Sequence, residues 1–162
     1  IYGVDLSRGG IRHAARACAA YTGEDVRFAV ASVYTLPLPD ASMDAVVNVF
    51  SPLAPAEITR VLCGGGCLIA ALPGARHLFE MKEVLYERPY ENDETLRLLE
   101  GLRLLRTQRV TYPMALEGER VRNLYRMTPY SYKTSPEGAA RLEALERLTV
   151  TADFLLCVYG KE

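Results

Sequence analysis

A chain of 162 residues, 49% hydrophobic, 24% charged and with a formal net charge of −1, has the composition of one ordinary globular domain with a core to bury. So apolar a chain at so low a net charge is not disordered, and its longest apolar runs, Ala45–Phe50 and Cys67–Leu72, fall far short of the roughly 18–20 residues of a membrane span. The opening residues do not read as a basic segment followed by an apolar stretch, and four sparse cysteines, Cys18, Cys63, Cys67 and Cys157, read as reduced thiols of a cytoplasmic protein.

In chain order, Ile1–Asp5 is a short apolar strand ending in an acid, and Ser7 can cap a helix over Gly10–Tyr21. A turn at Gly23-Glu24-Asp25 leads into a strand over Val26–Ala31. Prolines at two-residue spacing make Leu36-Pro37-Leu38-Pro39-Asp40 a loop, since neither a helix nor a central strand accepts them. Met43–Phe50 is nearly continuous in apolar residues, as a strand covered on both faces should be. A helix over Ala54–Leu62 is expected to stop at Gly64-Gly65-Gly66, before a strand over Cys67–Leu72 that Pro73-Gly74 ends. Alternation at this spacing implies a mostly parallel sheet with right-handed crossovers. Further on, Leu78–Tyr86, Glu94–Gly101, Glu117–Met127 and Pro136–Leu148 read as helices. Leu102–Leu116 mixes apolar residues and Arg at a spacing near two, and Thr149–Tyr159 is a long β-rich run. No repeat or linker divides the chain, so residues 1–162 are expected to be one domain.

Charge is uneven. Residues 97–133 carry eight Lys or Arg and three Glu, a basic segment in an acidic chain, suited to facing phosphate or simply to solvation. Cys63 and Cys67 are separated by three glycines with no second ligand pair after them, so no metal site is expected. Asp5 ends a parallel strand at the edge where open α/β sheets bind ligands, and its two oxygens suit the two vicinal hydroxyls of a ribose. At the end of the next strand, Ala31, Ser32 and Val33 leave room for a planar ring, which Ser32 can hydrogen-bond.

The stretch from Leu36 to Val47, with Arg60-Val61-Leu62-Cys63-Gly64-Gly65-Gly66 downstream, resembles the class I methyltransferases that use S-adenosylmethionine. Family members mostly have Lys-Pro before the glycine pair where this chain has Cys63-Gly64, a difference in a turn. Residues Pro73 to Lys82, Tyr112-Pro113-Met114, Met127 to Tyr132, and Thr151-Ala152-Asp153-Phe154 look like the bacterial 23S rRNA guanine-N1 methyltransferases. The resemblance implies a Rossmann-like α/β sheet, mostly parallel with an antiparallel closing strand. In it the strands ending at Asp5, Ala31, Phe50 and Leu72 are the second to fifth. The family's zinc ribbon and its first, glycine-rich strand are not among these residues, so the chain is expected to be the later part of the catalytic domain. The gap left at the sheet's centre is expected to be filled by a strand from a second copy, in a homodimer, or by residues upstream of Ile1.

The resemblance further implies S-adenosylmethionine as cofactor, held by Asp5, Ser32, Val33 and Asn48, and 23S rRNA as substrate. Guanine N1 carries a proton and faces its pairing partner, so the base must be exposed, deprotonated and aligned with the methyl carbon. Tyr130 and Tyr132 are candidates to stack on an exposed base, with core packing as the plainer reading. His77 is a candidate base or phosphate contact beside Arg76, and Ser51 and Pro52 follow the fourth strand, where this fold places its acceptor pocket. A small-molecule methyltransferase and a non-catalytic RNA- or partner-binding domain are the alternatives.

Overall fold

A computed structural model describes residues 1–19, 25–96 and 98–162. The elements run β1 (Tyr2–Asp5), α1 (Arg8–Cys18), β2 (Arg27–Val30), β3 (Met43–Val49), α2 (Pro55–Val61), β4 (Leu62–Pro73) and α3 (Phe79–Leu85). Then come β5 (Leu102–Glu117), α4 (Glu119–Met127), a 3₁₀ turn (Pro129–Tyr132), α5 (Pro136–Glu143) and β6 (Arg147–Lys161). The strands form two sheets, a parallel β1-β2 pair and a sheet ordered β3-β4-β6-β5, in a mostly parallel α/β arrangement. The expected end of the first helix at Tyr21, and most of the turn before β2, lie outside the described residues.

Two compact units make up the chain. One comprises residues 1–70, 97–106 and 157–162; the other comprises residues 71–96 and 107–156. Because β4, β5 and β6 each pass from one to the other, no linker composition could mark a boundary. In the first unit, Ile58, Val61, Leu62, Leu68 and Cys157 are buried. Lys161 there donates to the carbonyls of Thr59 and Leu62, both at 2.6 Å, placing a cation at the carboxyl end of α2. The second unit packs Leu78, Met81 and Leu85 of the α3 region against Val121, Tyr125, Leu142 and Val150.

Local expectations hold where capping chemistry decides them. Ser7 caps α1 by accepting from the Gly10 N–H at 3.1 Å, and Ser135 caps α5 through Gly138 at 3.2 Å. Three expectations fail. The glycines at 64–66 lie within β4 rather than ending α2, because Leu62 already has extended backbone and the chain enters the strand directly. Gly65 takes a φ of 75°, which explains why glycine stands there. Residues 94–96 and 98–101 form no helix. Asp93 Oδ1 instead accepts from the Thr95 N–H at 2.9 Å and its hydroxyl at 2.6 Å, a local closure that competes with helix formation. The last helix stops at Glu143 rather than Leu148, since Arg147 and Leu148 already belong to β6.

Candidate cofactor cavity and substrate turn

In the first unit, β1 and β3 belong to separate sheets, and both line one cavity of about 510 Å³. Tyr2 and Val4 come from β1 and Val47 and Val49 from β3; Val47 is 67% exposed, unusual for an apolar residue of a parallel strand. Asp5, Ser32, Val33, Asn48, Ser51 and Pro52 all line the same cavity, so six of the ten residues singled out from the sequence converge there. Leu36 and Leu38 of the proline loop, with Tyr34, which the sequence did not single out, complete its apolar wall.

Two side chains in the wall are set by their own backbone. Asp5 Oδ1 accepts from the Ser7 N–H at 2.6 Å, so one carboxylate serves the turn into α1 while lining the cavity. Ser32 Oγ accepts from the Tyr34 N–H at 3.2 Å and shapes the loop after β2. Asn48 is 7% exposed and donates from Nδ2 to Ser51 Oγ at 2.7 Å and to the Pro52 carbonyl at 3.3 Å. Between them, Phe50 takes a left-handed φ of 51°. The Asn48 Oδ1 acceptor is buried with no hydrogen-bond partner among the described residues, a costly state that a bound donor would relieve.

The proline loop is fastened by Arg60, which donates to the carbonyls of Leu36 (3.1 Å) and Leu38 (2.9 Å) and pairs with Glu57 at 2.7 Å and Asp40 at 2.6 Å. The Arg60 guanidinium, with the Leu36 N–H, holds the Glu57 carboxyl down at about 2. Burial in its clamp is overcome by these contacts, so the loop that lines the cavity is tied to α2 by charge-assisted bonds.

Arg76, His77, Tyr130 and Tyr132 lie in the second unit. The turn Gly74–His77 leaves the carboxyl end of β4. The Arg76 guanidinium pairs with Glu91 at 3.1 Å and lies 4.1 Å over the Phe79 ring. The ring of His77 packs against Phe154, 4.9 Å between centroids, and its Nδ1 accepts from the Asp153 N–H at 3.3 Å. Burial lowers the His77 pKa, with the Asp153 carboxylate opposing that shift, so the neutral ring is favoured near neutrality. An accepting Nδ1 places the ring proton on Nε2.

Tyr130 is half-buried, packs against the apolar cluster of its unit and meets Tyr86 edge-on at 6.2 Å. Burial, with Tyr90 and Tyr86 nearby, pushes its hydroxyl up to about 12. The plainer core reading therefore fits Tyr130, while Tyr132 is 88% exposed. The 3₁₀ turn, not a strand, separates the two.

Residues 1–70 match the methyltransferase domain family. A Bacillus halodurans crystal structure, described provisionally as a methyltransferase, superimposes with a TM-score of 0.61 at 14% identity, over 99% of this chain and 82% of that one. At that identity the likeness establishes the fold. Residues 1–70 are thus similar in sequence to a methyltransferase domain, and the fold is the α/β arrangement of the class I type. More narrowly, the chain is similar in sequence to proteins named 23S rRNA (guanine-N1) methyltransferases. It is 30% identical to the 23S rRNA (guanine(748)-N(1))-methyltransferase of Streptomyces fradiae, over 95% of this chain and 56% of that protein. It is 30% identical to YxjB of Bacillus subtilis, which carries a 23S rRNA (guanine-N(1)-)-methyltransferase name as a proposal, over 93% of this chain and 54% of that protein. The chain thus spans about half the length of the curated relatives it matches. Among the described residues no helix is long and apolar enough to cross a membrane, and no cluster of His, Cys, Asp or Glu could hold a metal ion.

Proposed function

We propose that this chain is the part of a cytoplasmic enzyme that transfers a methyl group from S-adenosylmethionine to N1 of a guanine in 23S rRNA. The observation that carries this reading is the cavity lined by β1, β3 and the loop after β2, with Asp5 in its wall and a buried Asn48 Oδ1 without a hydrogen-bond partner among the described residues. These residues fit the cofactor. The Asp5 carboxylate would accept from ribose hydroxyls, Ser32, Val33, Leu36 and Leu38 would enclose a flat ring, and Asn48 Oδ1 would accept from an N–H donor. When bound, S-adenosylmethionine supplies a methyl group already activated on a sulfonium.

The remaining task of the protein is to hold guanine with N1 deprotonated and in line. Ser51 and Pro52, locked onto Asn48, border the space in which the base is received. In the second unit, His77, with its proton on Nε2, serves as a donor to an RNA phosphate. That tautomer suits a phosphate contact better than the role of general base. Tyr132 offers an exposed ring for stacking and Arg76 a cation for phosphate.

The test is to incubate the full-length protein with 23S rRNA and methyl-labelled S-adenosylmethionine. Label in rRNA, with a reverse-transcription stop at one guanine, is the expected result, because methylation at N1 blocks the pairing edge. Label only in small molecules would favour the metabolite-methyltransferase alternative. Tight RNA binding without label would favour a non-catalytic role.

A further inference from the structure

The turn Gly74–His77 is fixed far more completely than a surface connection needs. The Gly74 N–H donates to the Asp153 carbonyl at 2.8 Å, and the Gly74 carbonyl accepts from Asn92 Nδ2 at 2.8 Å. The Ala75 N–H donates to Glu94 Oε1 at 2.5 Å, and the Ala75 carbonyl accepts from the Asn92 N–H at 2.9 Å. The Arg76 N–H donates to Asp153 Oδ2 at 3.1 Å. Every backbone polar group of Gly74 and Ala75 is thus engaged by residues distant in sequence.

The groups that hold the turn are themselves held. Asn92 Oδ1 accepts from Lys82 Nζ at 2.7 Å, and that fully buried ammonium also donates to the Tyr90 carbonyl at 2.9 Å and sits 4.2 Å over the Tyr90 ring. The Asp153 carboxylate accepts from Arg109 Nε at 2.8 Å and Thr111 Oγ1 at 2.8 Å, and Arg109 also pairs with Glu94. Burying an ammonium whose hydrogen bonds go to a carbonyl and an amide oxygen is costly, so the bond it makes to Asn92 places a constraint there at the expense of stability. What the turn presents is Arg76 and His77.

We propose that Asn92 is a positioning residue for the nucleic-acid substrate: with Asp153 it locks the Gly74–His77 turn so that Arg76 and His77 meet the RNA already ordered. This rests on the rRNA reading for the identity of the substrate, but the lock itself does not. Pre-ordering the turn removes an entropic cost from binding, so its loss falls on substrate affinity. Asn92 is partly buried and lies outside the apolar cluster, so replacing it leaves that cluster intact, while Asn92→Ala takes one acceptor from Lys82.

The test uses the full-length protein with Asn92→Ala, Asn92→Asp and Arg76→Ala, alone and combined. Asn92→Asp keeps an acceptor for Lys82 while it replaces the donor to Gly74 by a carboxylate oxygen and adds a charge that pairs with the ammonium, which guards against a merely misfolded variant. Both Asn92 variants should raise KM for the RNA by about tenfold, the scale of a lost positioning hydrogen bond, with kcat and cofactor Kd little changed. In the Arg76→Ala background the same substitution should have a much smaller effect, because the lock acts through Arg76. Effects that multiply independently, or a parallel loss of cofactor affinity, would overturn the proposal. His77 supplies a readout that needs no substrate, since the chain has two histidines. Its ring nitrogen shifts should report the Nε2–H tautomer in the native protein and a mixture in Asn92→Ala. Unchanged His77 signals would refute the lock, whereas an inactive native protein with shifted signals would refute only the rRNA reading.

Discussion

Replacing Gly74 by Ala is the most demanding probe of the second unit. Gly74 is buried, and a Cβ placed there would lie 2.5 Å from Asp153 Cγ, 2.8 Å from Oδ1, and closer still to Oδ2. The carboxylate cannot swing aside freely, because Arg109, Thr111 and the Arg76 N–H all bind it. Nor can the backbone retreat, since the Gly74 N–H and carbonyl are both bonded. Overpacking costs about 1–3 kcal/mol, and giving up a charge-assisted hydrogen bond costs about 1.5–3 kcal/mol more. The expected loss is therefore about 3–5 kcal/mol, a large part of a domain's stability. Urea denaturation followed by circular dichroism measures it. The companion variant Gly74→Ala/Asp153→Ala removes the obstructing carboxylate, so its cost should fall well below the sum of the single costs. A loss under about 1 kcal/mol for Gly74→Ala, or simple additivity in the double variant, would refute the reasoning.

Two further outcomes are expected. Asp5→Ala in the full-length protein should weaken S-adenosylmethionine binding by about 1.5–3 kcal/mol, measured by calorimetry, and an unchanged affinity would remove Asp5 from the site. Asp153 is held at about 2, chiefly by Arg109, against about 3.9 in an unfolded chain, so its contribution is present above about pH 4 and is lost as pH falls through about 2. Asp153→Asn should flatten that part of the acid unfolding curve, and an unaltered curve would show that the carboxylate's partners do not matter to stability.

Local chemistry and pattern were legible from the residues alone. Ser7, the proline loop and the apolar run of Met43–Phe50 each admit few backbone solutions, and the α/β class follows from their alternation. Asp5, Ser32 and Asn48 could be placed at strand ends because a strand's end is itself a local property. The resemblance to the methyltransferases supplied the cofactor, which no spacing could have named.

Tertiary structure alone decided what long-range partners control. The segment at 94–101 has helical composition, yet Asp93 closes a turn on Thr95, and Glu94 is drawn to Ala75 and Arg109. Tyr130 and Tyr132 look equivalent in sequence, but only Tyr130 packs against Tyr86 and the apolar cluster. Asp153 stood in the sequence only within the Thr151–Phe154 motif, and its partners Arg109, Thr111 and Arg76, 42 to 77 residues away, were not legible there. Backbone propensity and capping act over a few residues and are written locally. Which carboxylate meets which guanidinium depends on strands paired across the whole chain, and only the fold brings those groups within hydrogen-bonding distance.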